Sequence, residues 1–222
     1  MCRRYRTVQL CVTVIVPGTS DPWLAGMPDG STASCDLVIH TNCDRAPSQS
    51  PKLVEGLSFN GGSTLTITAK GLVNNYGFDA LFGPDGNPSW IQGHDAGAEN
   101  GISDILPIPL SSLVGVFLGP AQPDGSAAPT PATDPTHPAL KQVFLIGSNS
   151  AVVVPAGASR LFLGTMDSWQ WSVASTVPAT GDVVNASVAA VTAWGRIADK
   201  SARSLLRSGY PPAAVKCILD ES

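Results

Sequence analysis

Two positions in this 222-residue chain carry side chains that could bind a ligand. Asp167 follows the apolar run Arg160–Thr165, and an acid that closes such a run at a loop suits a ligand better than core packing. Its carboxylate could bind a hard cation such as calcium, which takes about six to eight oxygen ligands. Trp90 lies just beyond a Gly/Pro turn, where an exposed indole can stack on the apolar side of a sugar ring.

The neighbouring residues also have ordinary structural interpretations. Trp169 and Trp171 alternate with Gln170, so one can face a site while the other, or both, belong to a core. His94 can be a plain polar loop residue. Several acids are typical of solvated turns, namely Asp79, Asp85, Asp95 and Asp104.

The motifs of common enzyme classes are missing from the sequence. It contains no Gly-x-Ser-x-Gly elbow, no His-Glu-x-x-His pair, no phosphate-binding loop and no Cys/His couple in the central part. We therefore expect a protein that is not an enzyme.

Charge and hydropathy exclude two kinds of partner. The chain has 13 Lys and Arg against 17 Asp and Glu, a formal charge of -4, and its central part has no basic cluster that could follow a phosphate backbone. No stretch is long and apolar enough to span a bilayer. We expect neither a nucleic-acid partner nor a membrane span.

The elements that must position these residues are strands. Ser63–Lys70 alternates apolar and polar residues with the period of a half-buried strand. Four more apolar runs are bounded by Gly or Pro, with no amphipathic helix between them: Leu113–Leu118, Val143–Ile146, Ala151–Val154 and Arg160–Thr165. This pattern predicts an all-β fold, an antiparallel β-sandwich over residues 53–194 whose last strand lies within Val183–Trp194.

The remaining segments are expected to be peripheral. Gly119–Gln142 contains six prolines and few large apolar groups, which predicts a mobile inserted loop with almost no anchors. Residues 1–52 show no period and predict an irregular arm, and residues 195–222 a tail, with a short helix expected within Trp194–Leu206.

The amino-terminal arm carries two hints of an extracellular location. Met1–Arg6 has three arginines and precedes the apolar run Val8–Val16, an outline similar to a weak secretory signal. Cys35 and Cys43 could close a short loop in an oxidising compartment, or could be free thiols.

One pattern resembles a known family. Val73–Gly77 reads Val-Asn-Asn-Tyr-Gly and is followed five residues later by Gly83–Gly86, Gly-Pro-Asp-Gly. With Ser112–Gly119, Phe144–Gly147 and Pro155–Gly164 downstream, this order is similar to that of the PA-IL-type calcium-dependent galactophilic lectins of bacteria. The resemblance covers about 120 residues of the centre and neither end of the chain.

The resemblance implies a galactose-binding sandwich in which the sugar completes the shell of a bound Ca²⁺ ion. By carry-over, Tyr76 and Trp171 would each give a backbone oxygen, and Asp167 would bind both calcium and a sugar hydroxyl. The family's sugar-facing His and Gln correspond to Trp90 and Gly93, with Gln92 and His94 beside them. Expected partners are galactose-containing glycans and further copies of the chain.

The sequence departs from the family where two more oxygen ligands are expected, because Val173 and Ala174 stand there. Either Asp182 or Asn185 replaces them from a longer loop, or the calcium site is lost. The alternative function is therefore a structural or adhesive surface domain that has lost calcium and sugar binding.

Overall fold

A computed structural model describes residues 8–35, 42–73, 81–125, 127–171 and 183–192. These residues form strands joined by loops, with one 3₁₀ turn at Pro22–Leu24. The strands are β1 Val8–Pro17, β2 Thr32–Ala33, β3 Asp44–Arg45, β4 Lys52–Leu53, β5 Thr64–Leu72, β6 Asn87–Gln92, β7 Ile108–Leu110, β8 Leu113–Leu118, β9 Val143–Leu145, β10 Asn149–Val153, β11 Arg160–Thr165 and β12 Val183–Thr192.

Two four-stranded antiparallel sheets make up most of the fold. The first has the order β1-β12-β5-β10 and the second the order β4-β11-β8-β9. In β5, Leu65 and Ile67 are buried while Thr64 and Thr68 are exposed, as period-two alternation requires. Two smaller sheets pair β2 with β3 and β6 with β7.

The first core contains inward-facing side chains from both large sheets. Val16, Ile67 and Val188 come from the first sheet, and Phe117 and Leu161 from the second. Both sheets thus bury one face in a common cluster, the arrangement of an antiparallel β-sandwich.

The second core lies on the other face of the β11-β8 sheet. Val114, Val116 and Leu118 of β8 pack there with Trp23 and Leu24 from the 3₁₀ turn. Because both faces of β8 are covered, all six of its residues are buried.

The expected strands are confirmed, whereas the expected irregular arm is only partly right. Val8–Pro17, which includes the signal-like run, is β1 and pairs with all ten residues of β12. Residues 18–35 and 42–52 are largely irregular, as expected, but they are not peripheral, because Trp23 and Ala33 are fully buried. Scattered apolar residues in a packed loop have no period, so periodicity could not detect this role.

The Pro-rich loop has anchors that the sequence did not suggest. The Arg160 guanidinium donates to the carbonyl oxygens of Gly119 (2.7 and 2.9 Å) and Ala121 (2.6 Å). The amide of Val153 in β10 donates to Thr136 O (2.8 Å). The expectation of almost no anchors was wrong, because backbone carbonyls serve as acceptors whatever the side chains are.

Two further expectations concern helices. The helix expected within Trp194–Leu206 lies outside the described residues. In the described part of the chain, no helix has the length and apolarity to cross a membrane.

Candidate functional site

A row of hydrogen-bonded side chains runs along β6 into the following loop. The Trp90 indole Nε1 donates to Gln92 Oε1 (3.0 Å), and Gln92 Nε2 donates to Asp95 Oδ1 (2.7 Å). This hydrogen bond places the Trp90 and Gln92 side chains on the same side of the strand, and Ile91 between them is 59% exposed. The row fixes the direction of the Gln92 amide.

This row is joined to the turn that follows β11. The backbone amide of Asp95 donates to Ser168 O (2.7 Å), so the loop after β6 and residues 167–171 are adjacent. Trp169 in that turn is 43% exposed. We call Trp90, Gln92, Asp95 and Trp169 the β6–β11 surface; it combines two indoles, an amide and a carboxylate, the groups with which proteins bind neutral sugars.

Asp167 lies directly beneath this surface. It is 2% exposed, and its Oδ1 accepts a hydrogen bond from the Ser168 amide (2.6 Å). Burial, the largest cause, and the charges of Asp44 and Asp95 raise the pKa of this carboxyl to about 7, against the hydrogen bonds that lower it. A cation placed here would favour the ionised carboxylate.

The two tryptophans of the turn have different roles, as their alternation suggested. Trp171 is buried in the second core, and its indole Nε1 donates to Thr165 O (2.8 Å). Its backbone amide donates to Asp44 Oδ2 (2.7 Å). Trp169 faces outward while Trp171 holds the turn against the core.

His94 does not belong to the surface in this structure. Its side chain is fully buried and stacks on the Trp23 indole, with ring centroids 3.7 Å apart. His94 Nδ1 is 2.7 Å from Gly97 O, and Nε2 is 3.1 Å from Ser34 Oγ. The expectation that the ring contacts a sugar is corrected, because the ring is buried against Trp23 and both of its nitrogens already have partners.

The Ser34 hydroxyl lies between two buried titratable side chains, Asp21 and His94. Nδ1–H of neutral His94 donates to Gly97 O, which leaves Nε2 as an acceptor. Ser34 Oγ donates to Asp21 Oδ2 (2.9 Å) and lies 3.1 Å from His94 Nε2. Burial, chiefly, and nearby Asp44 raise the pKa of Asp21 well above its ordinary value.

This network ties the amino-terminal segment to the loop after β6. The amide of Ser34 donates to Glu99 Oε2 (2.7 Å), and that oxygen is 3.7 Å from His94 Nε2. Asn100 Nδ2 donates to the carbonyl oxygens of Trp23 and Thr32, each at 3.0 Å. Burial raises the pKa of Glu99, and burial lowers the pKa of His94 to about 4.

Ser34 and His94 have the spacing of a nucleophile and its base, but not the access. Ser34 is 1% exposed, and its hydroxyl is held by both Asp21 and His94. A substrate would have to displace buried partners to reach Oγ. The network therefore supports the loops rather than acting on a substrate.

The remaining candidate ligands do not join Asp167 in the described part of the chain. Tyr76 and Asp182 lie outside the described residues. Asn185 in β12 pairs with Ile15 and Lys70, and it points outward because Val184 and Ala186, on either side, are buried. Asn185 thus faces away from the sandwich core on the first sheet, which corrects its assignment as a calcium ligand.

The described residues contain no group of three or more His, Cys, Asp or Glu placed to hold a metal ion. Asp44 and Asp167 each already accept a backbone hydrogen bond. A calcium shell built on Asp167 would therefore have to draw most of its oxygens from backbone carbonyls, amide side chains or waters.

No pattern in the sequence indicated four residues that the fold brings into contact with one another, with His94 or with Trp171: Asp21, Ser34, Asp44 and Glu99. One signal existed nearby: Cys35 and Cys43 form a disulfide, with Cα atoms 4.0 Å apart. These cysteines immediately follow Ser34 and precede Asp44.

No protein-family model, curated protein or solved structure matches this chain.

Proposed function

We propose that the protein is a carbohydrate-binding β-sandwich that takes a galactose-type sugar on the β6–β11 surface. The observation that carries this proposal is the row from Trp90 through Gln92 to Asp95, joined to Ser168 by the Asp95 amide. A sugar needs an apolar platform for one ring face and fixed polar groups for its hydroxyls. The exposed indole of Trp169 and the half-buried indole of Trp90 supply the platform, and the oriented Gln92 amide and the Asp95 carboxylate supply the polar groups.

Calcium is the second part of the proposal. In the resembling lectins an acid binds the ion and the sugar together, and Asp167 lies next to Ser168 and Trp169 of the surface. The buried carboxyl would ionise fully with a cation beside it. Tyr76 would add a carbonyl oxygen, with waters and the sugar completing the shell.

The alternative is a structural or adhesive surface domain without calcium or sugar. Two observations favour it: the described residues contain no metal-ligand group, and His94 is buried. Under this alternative the β6–β11 surface would serve only to close the second core.

Galactose titration of the whole protein by calorimetry, once with calcium and once with EDTA, distinguishes these functions. The lectin proposal predicts binding of roughly millimolar affinity that weakens in EDTA, since few ligands of this chain would hold the ion. Trp90→Ala and Gln92→Ala should abolish binding. The matched control is Ile91→Ala, which alters the opposite face of the same strand.

Each outcome has one meaning. Galactose binding that is equal in EDTA and in Asp167→Asn refutes the calcium bridge but leaves direct recognition by Trp90 and Gln92. No heat with galactose in either buffer refutes the lectin function and leaves the structural domain.

A further inference from the structure

The Cys35–Cys43 disulfide lies between two residues that hold the loops of the β6–β11 surface. Ser34, just before Cys35, contacts His94 through Oγ and Glu99 through its amide. Asp44, just after Cys43, accepts from the amide of Trp171. The residues on either side of the disulfide therefore contact the loop after β6 and the turn after β11.

The backbone around this bond is too short to hold these positions by itself. Strands β2 and β3 pair at two positions, Thr32 with Arg45 and Ala33 with Asp44, and two more hydrogen bonds continue the ladder, from Gly30 N to Ala46 O and from Ala46 N to Ser31 O. An isolated two-stranded ladder is marginal in water even when it is longer. Ser34 also has a φ of 51°, a conformation that a non-glycine residue keeps only when its surroundings fix it.

The sandwich itself does not depend on this hairpin. The first core takes its described buried members from the strands of the two large sheets and from adjoining residues after position 53, with none from residues 18–52. Loss of the disulfide should therefore act on the second core and its loops.

We propose that the Cys35–Cys43 disulfide is a positioning element of the ligand-binding surface, and that its reduction lowers ligand affinity while the sandwich stays folded. The effect on affinity rests on the function proposed above; the effect on the loops does not. With the bond broken, Ser34 and Asp44 no longer hold the loop after β6 and the turn after β11 in register. The residues of the β6–β11 surface are then no longer held in one arrangement.

A dithiol is the chemical class of reductant that would act. Its thiolate attacks one cysteine sulfur and breaks the S–S bond, forming a mixed disulfide with the protein. Its second thiol then closes a disulfide within the reductant. Together the two cysteine sulfurs gain two electrons and two protons, and both remain in the protein as thiols. Cys35 and Cys43 are both partly exposed, so a small dithiol can reach them.

The test uses the full chain with Cys35 and Cys43 both changed to Ala, because Cys11 is also disulfide-bonded and a reductant would break that bond too. Hydrogen exchange of the Ser34 and Trp171 amides is compared with that of the β5 amides, and galactose titration is run in parallel. Ser48→Ala is the matched control, an exposed change in the same segment.

We expect protection of the Ser34 and Trp171 amides to fall about tenfold or more while β5 keeps its protection. Galactose affinity should fall by a similar factor. Unchanged protection at both amides overturns the proposal. Equal loss of protection in β5 also overturns it, because the bond would then hold the whole fold. If the unaltered protein binds no galactose, the proposed function fails, and the exchange result still decides whether the disulfide positions the loops.

Discussion

The His94 imidazole lies nearly parallel on the Trp23 indole, with an interplanar angle of 18° and ring centroids 3.7 Å apart. Trp23 is itself fixed, since its Nε1 donates to Ser103 O (2.9 Å) and its amide to Asp21 Oδ1 (2.8 Å). The stack joins the 3₁₀ turn to the loop after β6. It therefore anchors that loop to the second core beneath the candidate surface.

Loss of this stack should destabilise the protein. His94→Ala removes the ring from the indole and leaves Ser34 and Gly97 without their partner, so we expect the free energy of unfolding to fall by about 2–3 kcal/mol. His137→Ala is the control, because His137 is exposed in the Pro-rich loop; it should change stability by under about 0.5 kcal/mol. Urea denaturation measures both, and equal effects would refute a structural role for His94.

The strands that could be predicted from the sequence are those with a clear hydropathy pattern. Ser63–Lys70 and Arg160–Thr165 alternate or run apolar between turns, and both are strands. Strand β1 was missed because its apolar run also has the outline of a signal segment. Strand β6 was missed because Pro88, Ser89 and Trp90 give no alternation of hydropathy.

The site was predictable only at its surface. Trp90, Gln92 and Asp167 were proposed from residue type and resemblance, and the fold brings them near one another through Asp95 and Ser168. Their support could not be found, because Asp21 and Ser34 are distant in sequence from His94 and meet it only through packing against the second sheet. A polar residue in an irregular segment carries no sign of its burial.

The pairing of β1 with β12 gives a test of whether the amino-terminal run belongs to the domain. Val16 is fully buried in the first core, and its neighbour Ile15 is 59% exposed on the outer face. Val16→Ala should lower the free energy of unfolding by about 2 kcal/mol, and Ile15→Ala by under about 0.5 kcal/mol. Equal small effects in urea denaturation would show that β1 contributes little to the core.

The Arg160 anchor should protect the Pro-rich loop from proteases. Arg160→Met keeps an unbranched apolar side chain but removes the guanidinium, which donates to Gly119 and Ala121 and whose Cζ lies 5.7 Å from the Phe162 ring centroid. We expect faster cleavage within residues 119–142, seen by mass spectrometry after limited proteolysis. Cleavage at the same rate in both proteins, or first cleavage within the strands, would contradict the role of this anchor.

Asp167 and His94 should change the stability of the protein in opposite directions as pH rises. The folded state raises the Asp167 pKa to about 7, so it keeps a proton that the unfolded chain releases above pH 3.8, and stability falls as pH rises to 7. The folded state lowers the His94 pKa to about 4, so the unfolded chain binds a proton first below pH 6.5, and stability falls as pH drops toward 4. Burial also raises the pKa of Asp21 and Glu99, so these two groups, like Asp167, make stability fall as pH rises.

Two variants separate these slopes, each of which is at most about 1.4 kcal/mol per pH unit. The stability of the unaltered protein relative to Asp167→Asn should decline steadily from pH 4 to 7 and stay constant above 7, because only the carboxyl titrates between the two proteins. Relative to His94→Gln it should instead decline from pH 6.5 down to 4. Urea denaturation at pH 4 to 8 in EDTA measures both differences. A difference that stays constant with pH would mean that the altered group keeps its ordinary pKa in the folded protein.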